Sequence, residues 1–281
     1  MGRGIFKNAP SPKEELYMEI KNILERSDQL FAEGRNADAV SWLKENLALA
    51  VQSGKWENEL SMLNELMGYY RNISRLSDAW EYAGRAVKIV EEHRLRNTVD
   101  GMTTYLNVAN VYRASGNLKE AMELYKQVEC VYHEQGMEHD YRLGGLYNNM
   151  SVISMDTGKR EDAVIYGEKA VVILKEIPGA EDECATVYGN LAGVMLQGNV
   201  PDVERADEYA DDALYLFEKS CADSPHYGGA LAMKAYLTYL KKDYSKSARL
   251  YEKAIGEVEK HYGKNAQYEL LVKNYEKVKM M

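Results

Sequence analysis

Apolar and polar positions along this chain follow a helical rhythm, and the rhythm itself repeats. In residues 105–112, Tyr105, Val108, Ala109 and Tyr112 fall three or four apart and form one apolar stripe. The segment "ASGN" interrupts it, with Gly116 free to take the left-handed conformation that ends a helix. Leu118, Ala121, Tyr125 and Val128 then form a second stripe. Helix, tight turn and helix predict an αα-hairpin. The phrase recurs: "GNLKEAMELYKQV" (116–128), "GKREDAVIYGEKA" (158–170) and "KDYSKSARLYEKA" (242–254) are three copies of it. Ala39, Ala79, Ala121, Ala163, Ala206 and Ser247 mark the register, at steps of 40, 42, 42, 43 and 41 residues. Self-similarity at such a period predicts a stack of units, each touching its neighbours.

Small residues carry the packing. The alanine set, a second set at Ala86, Ala170, Ala213 and Ala254, and a third before the turn at Ser27, Ala109, Ser151, Ala192 and Ala235 let helices approach closely. Asn46 and Met67 stand where small residues are expected in the first and second units. The turn is expected at Gly34, Ser74, Gly116, Gly158, Asn199 and Lys242. The fifth unit carries two extra residues in "QGNVPDVERADEY" (197–209), and its second helix is expected to start at Pro201 after an exposed loop. Pro178 and Pro225 fall in joints between units.

Small residues before the turn, Gly at it, Ala after it, and an aromatic at Tyr105, Tyr147 and Tyr188 resemble the tetratricopeptide repeat. The length of the unit is similar to the long-helix variety of kinesin light chains and spindle adaptors. The resemblance implies an all-α, right-handed α-solenoid of about six helix pairs, over residues 16–263. The units run about 16–58, 59–100, 101–142, 143–184, 185–228 and 229–263. Residues 1–15 read as a mobile tail. Residues 264–281 read as a C-terminal capping helix, with Leu270, Leu271 and Tyr275 on the last unit and Lys273, Lys277 and Lys279 in water.

Composition narrows the chemistry. A formal charge of −9 argues against general nucleic-acid binding, which needs clustered Lys and Arg. No apolar run is long enough to cross a membrane, and "MGRGIF" has neither a secretory h-region nor a myristoylation pattern. Cys130, Cys184 and Cys221 lie in different units, as expected for thiols in a reducing cytoplasm. The five histidines are scattered, and no HExxH, CxxC, GxSxG or GxxxxGK motif occurs. The carboxylate groups Glu91-Glu92, Asp211-Asp212 and Glu181-Asp182-Glu183 read as solvated charge at helix ends. The expectation is therefore a protein with no cofactor, no metal and no catalysis of its own.

One series stands apart. Asn107, Asn149 and Asn190 are 42 and 41 residues apart in the first helices, with Asn148 and Asn110 beside them. In the family it resembles, first helices line the concave face. An amide has both a donor and an acceptor, so a row of them can read an extended peptide by its main chain, as in the asparagine ladders of kinesin light chains and bacterial peptide-pheromone receptors. The alternative is that these amides bridge adjacent helices. Arg71 and Arg113, 42 residues apart, are candidates for an acidic side chain or terminal carboxylate, or else for ion pairs with carboxylates such as Glu65. Tyr236 and Tyr239 add aromatic surface towards the C-terminal end, or pack between helices. The reading is a peptide- or protein-binding module, its oligomeric state left open. Its rivals are a peptide-sensing regulator whose output domain a partner supplies, an enzyme, and a self-assembling scaffold.

Overall fold

The computed structural model describes residues 12–281, with side chains from residue 19 onward. Its thirteen helices divide into two compact units that meet between Leu124 and Tyr125, and no strand occurs among the described residues. The first unit holds α1 (Pro12–Ala32), α2 (Asn36–Ser53), α3 (Trp56–Asn72), α4 (Leu76–Glu92) and α5 (Val99–Ala114). The boundary falls inside α6 (Leu118–Glu134). The second unit continues with α7 (Tyr141–Asp156), α8 (Arg160–Leu174), α9 (Glu181–Met195), α10 (Val203–Ser220), α11 (Tyr227–Leu240), α12 (Tyr244–Tyr262) and α13 (Ala266–Lys279). Within each unit, odd-numbered first helices pack on even-numbered second helices and on the next first helix, as in a solenoid. Helix α1 begins at Pro12, where a missing N–H costs nothing, so part of the expected tail is helical. The rest of that tail, residues 1–11, lies outside the described residues.

The small residues sit where helices touch. Ala39, Ala79, Ala121, Ala163, Ala206 and Ser247 are all fully buried. Their backbone N–H groups donate to Arg35, Arg75, Asn117, Lys159, Asp202 and Asp243, the residues that open each second helix. Where serine replaces alanine, the hydroxyl crosses the contact. Ser151 Oγ donates to the carbonyl of Ala163, and Ser247 Oγ to that of Ala235, both at 2.7 Å. Only a small side chain brings the backbones near enough for that bond.

Most turns share one closure. The residue after the left-handed position donates its N–H five residues back: Arg35 to Leu30, Arg75 to Tyr70, Asn117 to Tyr112, Lys159 to Ser154, Asp243 to Thr238. The fifth pair differs, and two expectations need correction there. The left-handed residue is Gly198 (φ 88°), and not Asn199. The second helix starts at Val203, after Pro201, because the Asp202 carboxylate caps it by accepting from Arg205 N–H at 3.1 Å. Asp202 N–H reaches Met195 O at 2.9 Å, seven residues back, so the two extra residues are absorbed in the loop. Arg160 of α8 braces the loop, donating to the carbonyls of Met195 and Val200.

Glu91, Asp182, Glu183 and Asp211, read as solvated charge, also have partners, a further correction. Glu91 accepts from Tyr105 and Arg96. Asp182 accepts from Ser224 at 2.7 Å and Glu183 from Tyr141 at 2.8 Å. Asp211 and Asp207 flank the ammonium of Lys234, a buried lysine that joins α11 to α10 at 2.6 and 2.8 Å. Such a buried charge persists only when paired. At the far end, α13 buries Leu271 and Val278, whereas Leu270, expected on the last unit, is 56% exposed. Leu271 and Val278 are seven apart and share a face, and Leu270 is turned a third of a helical turn away.

Candidate functional site

The asparagines do meet, but in pairs offset by one residue. In the first unit, Asn107 Nδ2 of α5 donates to Asn64 Oδ1 of α3 at 3.1 Å. In the second, Asn190 Nδ2 of α9 donates to Asn148 Oδ1 of α7 at 3.0 Å. Each donor stands two residues before the small position of its helix (Ala109, Ala192), and each acceptor three before its own (Met67, Ser151). Asn64 was missed because it lies 43 residues before Asn107, one step off the register that the series follows. It is also bonded on both of its amide hydrogens. Its Nδ2 donates to Thr104 Oγ1 at 3.0 Å and to the Leu60 carbonyl at 3.1 Å.

Bridging between first helices is therefore real, and it leaves capacity. An amide offers two N–H donors and two acceptor lone pairs. Asn107 and Asn190 each spend one donor on their neighbour. Both side chains are half-buried, as are Asn148 and Asn149 of α7, while Asn110 of α5 is 9% exposed and sunk into the packing. Beside the second pair the first-helix face is low: a Cβ at Gly145, Gly189 or Gly229 meets nothing within 4 Å. A mid-helix glycine costs about 1 kcal/mol relative to alanine, and packing does not require one at these places.

Arg71 and Arg113 occupy the last turns of α3 and α5, where a cation favours the helix carbonyl end. Arg71 donates through Nε and Nη2 to Asn72 Oδ1 at 3.2 and 2.8 Å. An ion pair with Glu65 does not fit the electrostatics. Glu65 has its pKa raised, by burial first and by the charge of Asp28 second, and a cation in contact would lower it. The Nε of Arg113 is buried without a hydrogen-bond partner. In α11, Tyr236 is 44% exposed, and Tyr239 is half-covered by Lys277 of α13, 5.6 Å over its ring. Both lie near Tyr251, whose pKa rises to about 12, through burial first and these two phenols second.

Among the described residues, no group of three or more His, Cys, Asp or Glu is placed to hold a metal ion. No described helix is long and apolar enough to cross a membrane. The cysteines are free thiols, and burial lifts Cys184 to about 11.

The tetratricopeptide repeat family model matches residues 102–132, the third helix pair. Residues 102–132 are thus a tetratricopeptide repeat, and the helix pairs before and after them in the chain have the fold of such arrays. Among solved structures, BtubC from P. vanneervenii superposes with a TM-score of 0.60 at 19% identity, over 88% of this chain and 91% of that one. A putative kinesin light chain from Podosopora anserina gives 0.53 at 20%, over 73% and 97%. NprR in complex with its cognate peptide NprX gives 0.63 at 15%, over 98% and 76%. At these identities the likeness is one of fold. No curated protein matches the sequence.

Proposed function

We propose that the array is a non-catalytic interaction module of a reducing, cytoplasmic compartment, and that its first-helix face holds an extended peptide by the main chain. The observation that carries this is the pair of inter-helix amide contacts, Asn64–Asn107 and Asn148–Asn190. Each pair orients an amide with one N–H and its oxygen still to satisfy, which is what a peptide bond offers in return. The helix glycines of the second unit leave room for a backbone to lie close. Arg71 and Arg113 are the groups for an acidic side chain or a terminal carboxylate, and Tyr236 and Tyr239 for an apolar one. NprR, similar in fold, is known with a peptide bound, which supports a peptide as ligand class.

The test is selection from a randomised peptide library, followed by affinity measurement on enriched sequences. Asn107→Ala, Asn149→Ala and Asn190→Ala should each weaken binding roughly tenfold, as a lost hydrogen bond to a desolvated peptide group costs about 1–3 kcal/mol. Full binding by the triple variant would move the site off this face.

A further inference from the structure

The repeats serve as controls for one another. At the position two residues after the marker alanine, the second helices carry Ser41, Glu81, Glu123, Ile165, Glu208 and Arg249. All are exposed, and α8 alone places an aliphatic side chain there, Ile165 at 52% exposure. Seven residues on, the same helix exposes Val172 at 66%. Two helical turns separate them, about 10.5 Å along one face. They flank a cleft of about 530 Å³, walled by α8 and the end of α6 and floored by Leu143 and Tyr147 of α7. The floor is fixed: Tyr147 donates to Glu129 Oε1 at 2.9 Å, and its hydroxyl lies 3.0 Å from His133 Nε2.

Charge around the cleft is mixed at its lining, where Glu168 pairs with Arg205, and acidic at its exposed edge. The end of α6 and the loop after it bring His133 and Glu138 to the cleft, with exposed Glu134 beside them, while Asp140 is held by Arg142 at 2.8 Å. On the α8 side, Lys169 is drawn inward, 3.7 Å from Glu129 and 4.7 Å over the Tyr147 ring. Arg160 is turned onto the Met195 carbonyl. Exposed Glu161 and Asp162 remain on the first turn of α8.

We infer that this cleft is a docking site for a basic amphipathic helix of a partner protein. Two anchors two turns apart suit apolar residues spaced i, i+3, i+4 and i+7 on such a helix. A cationic polar face then meets the exposed carboxylates Glu134 and Glu138 on one side and Glu161 and Asp162 on the other. A strand would need an unpaired sheet edge, and none exists among the described residues. The site is independent of the peptide face proposed above.

The probe is a fluorescent 14-residue amphipathic helix of leucine and lysine, compared by anisotropy with a leucine–glutamate peptide of equal length. The decisive variant is Ile165→Glu with Val172→Lys. It leaves net charge unchanged and installs the residues that the second repeat carries at these positions, Glu81 and Lys88. The leucine–lysine peptide should bind the wild type at least tenfold better than the leucine–glutamate peptide, and the double variant at least tenfold more weakly. The Asn107/Asn149/Asn190→Ala variant should bind it like wild type, which separates failure here from failure of the peptide face. Equal binding by the double variant would reduce the contact to bulk electrostatics and overturn the site. A preference for the acidic peptide would overturn the partner's chemistry. Dimerisation of the wild type that the double variant abolishes would make the occupant a second copy, against the inference.

Discussion

The two amide pairs share one geometry and differ in company. In the first unit, Asn64 accepts from Asn107 and donates to both Thr104 and the Leu60 carbonyl, so three of its four bonding positions are spent on the protein. The second pair is the bond from Asn190 to Asn148; an open glycine stands near each pair, Gly68 in the first unit and Gly145 and Gly189 in the second. Where the register residues Asn107, Asn149 and Asn190 stand, the second helix pair has Glu65, a half-buried carboxyl raised in pKa. One repeat position thus serves two ends. In both units an asparagine there gives one N–H to the neighbouring first helix, and the second helix pair puts a carboxyl there instead. How much of each amide the fold already uses is what the proposed peptide site depends on.

The comparison presupposes equal helix packing in both units, and overpacking is the strongest way to break it. Ala79→Leu in the first unit and Ala163→Leu in the second should each cost about 1–3 kcal/mol in urea melts, since both sites are fully buried between helices. Lys126→Leu, at an exposed site, should stay within about 0.5 kcal/mol. Equal small effects at all three would dissolve the repeat register itself.

Next come the amides. Asn64→Ala should lose about 1–2 kcal/mol of stability, because it strands Thr104 and Asn107 together. Asn148→Ala should lose about half of that. Affinity for a selected peptide should fall in the opposite order. A common order in both measurements would make the second pair as structural as the first.

A smaller effect separates the units by pH. Glu65 has its folded pKa raised above the unfolded value, so the folded state holds the proton more tightly. Its ionisation penalty is absent below the unfolded pKa and is fully present once pH exceeds the folded one. Glu65→Asn, which extends the asparagine row by one unit, should therefore raise the melting temperature at pH 7 and leave it nearly unchanged at pH 4. A gain at pH 4 as large as at pH 7 would remove burial of the carboxylate as its cause.

The repeat was legible because Ala121 and Ala163 are small for a reason that holds in every unit. A stack reuses one steric solution, and its period exposes it. What broke the period was harder to see. Asn64 is one residue out of register, and only its contact with Asn107 shows that neighbouring helices pair with an offset. Pro201 is a plausible helix start, yet the Asp202 carboxylate following it makes the better cap. Leu270 and Leu271 look alike in sequence, and helix rotation alone decides that Leu271 is buried. Ile165 is silent in sequence, because an aliphatic residue on a helix stands out only once its exposure is known.

The turns give the smallest and most even test. Ser74 (φ 59°) in the first unit and Lys242 (φ 64°) in the second hold the left-handed conformation that Gly34, Gly116 and Gly158 hold elsewhere. A side chain there crowds the following carbonyl, at roughly 1–2 kcal/mol. Glycine relieves this and loses about 0.5–1 kcal/mol through the greater freedom of its unfolded chain. Ser74→Gly and Lys242→Gly should therefore each stabilise by about 0.5 kcal/mol, additively, because the sites lie in different units. Asn117 and Lys159 close the glycine turns by the same backbone bond that Arg75 and Asp243 make, so neither change disturbs that closure. A gain at Ser74 alone would mean that Lys242 is held by contacts a glycine cannot replace, and that the units differ in how their helices are joined as well as in how they use asparagine.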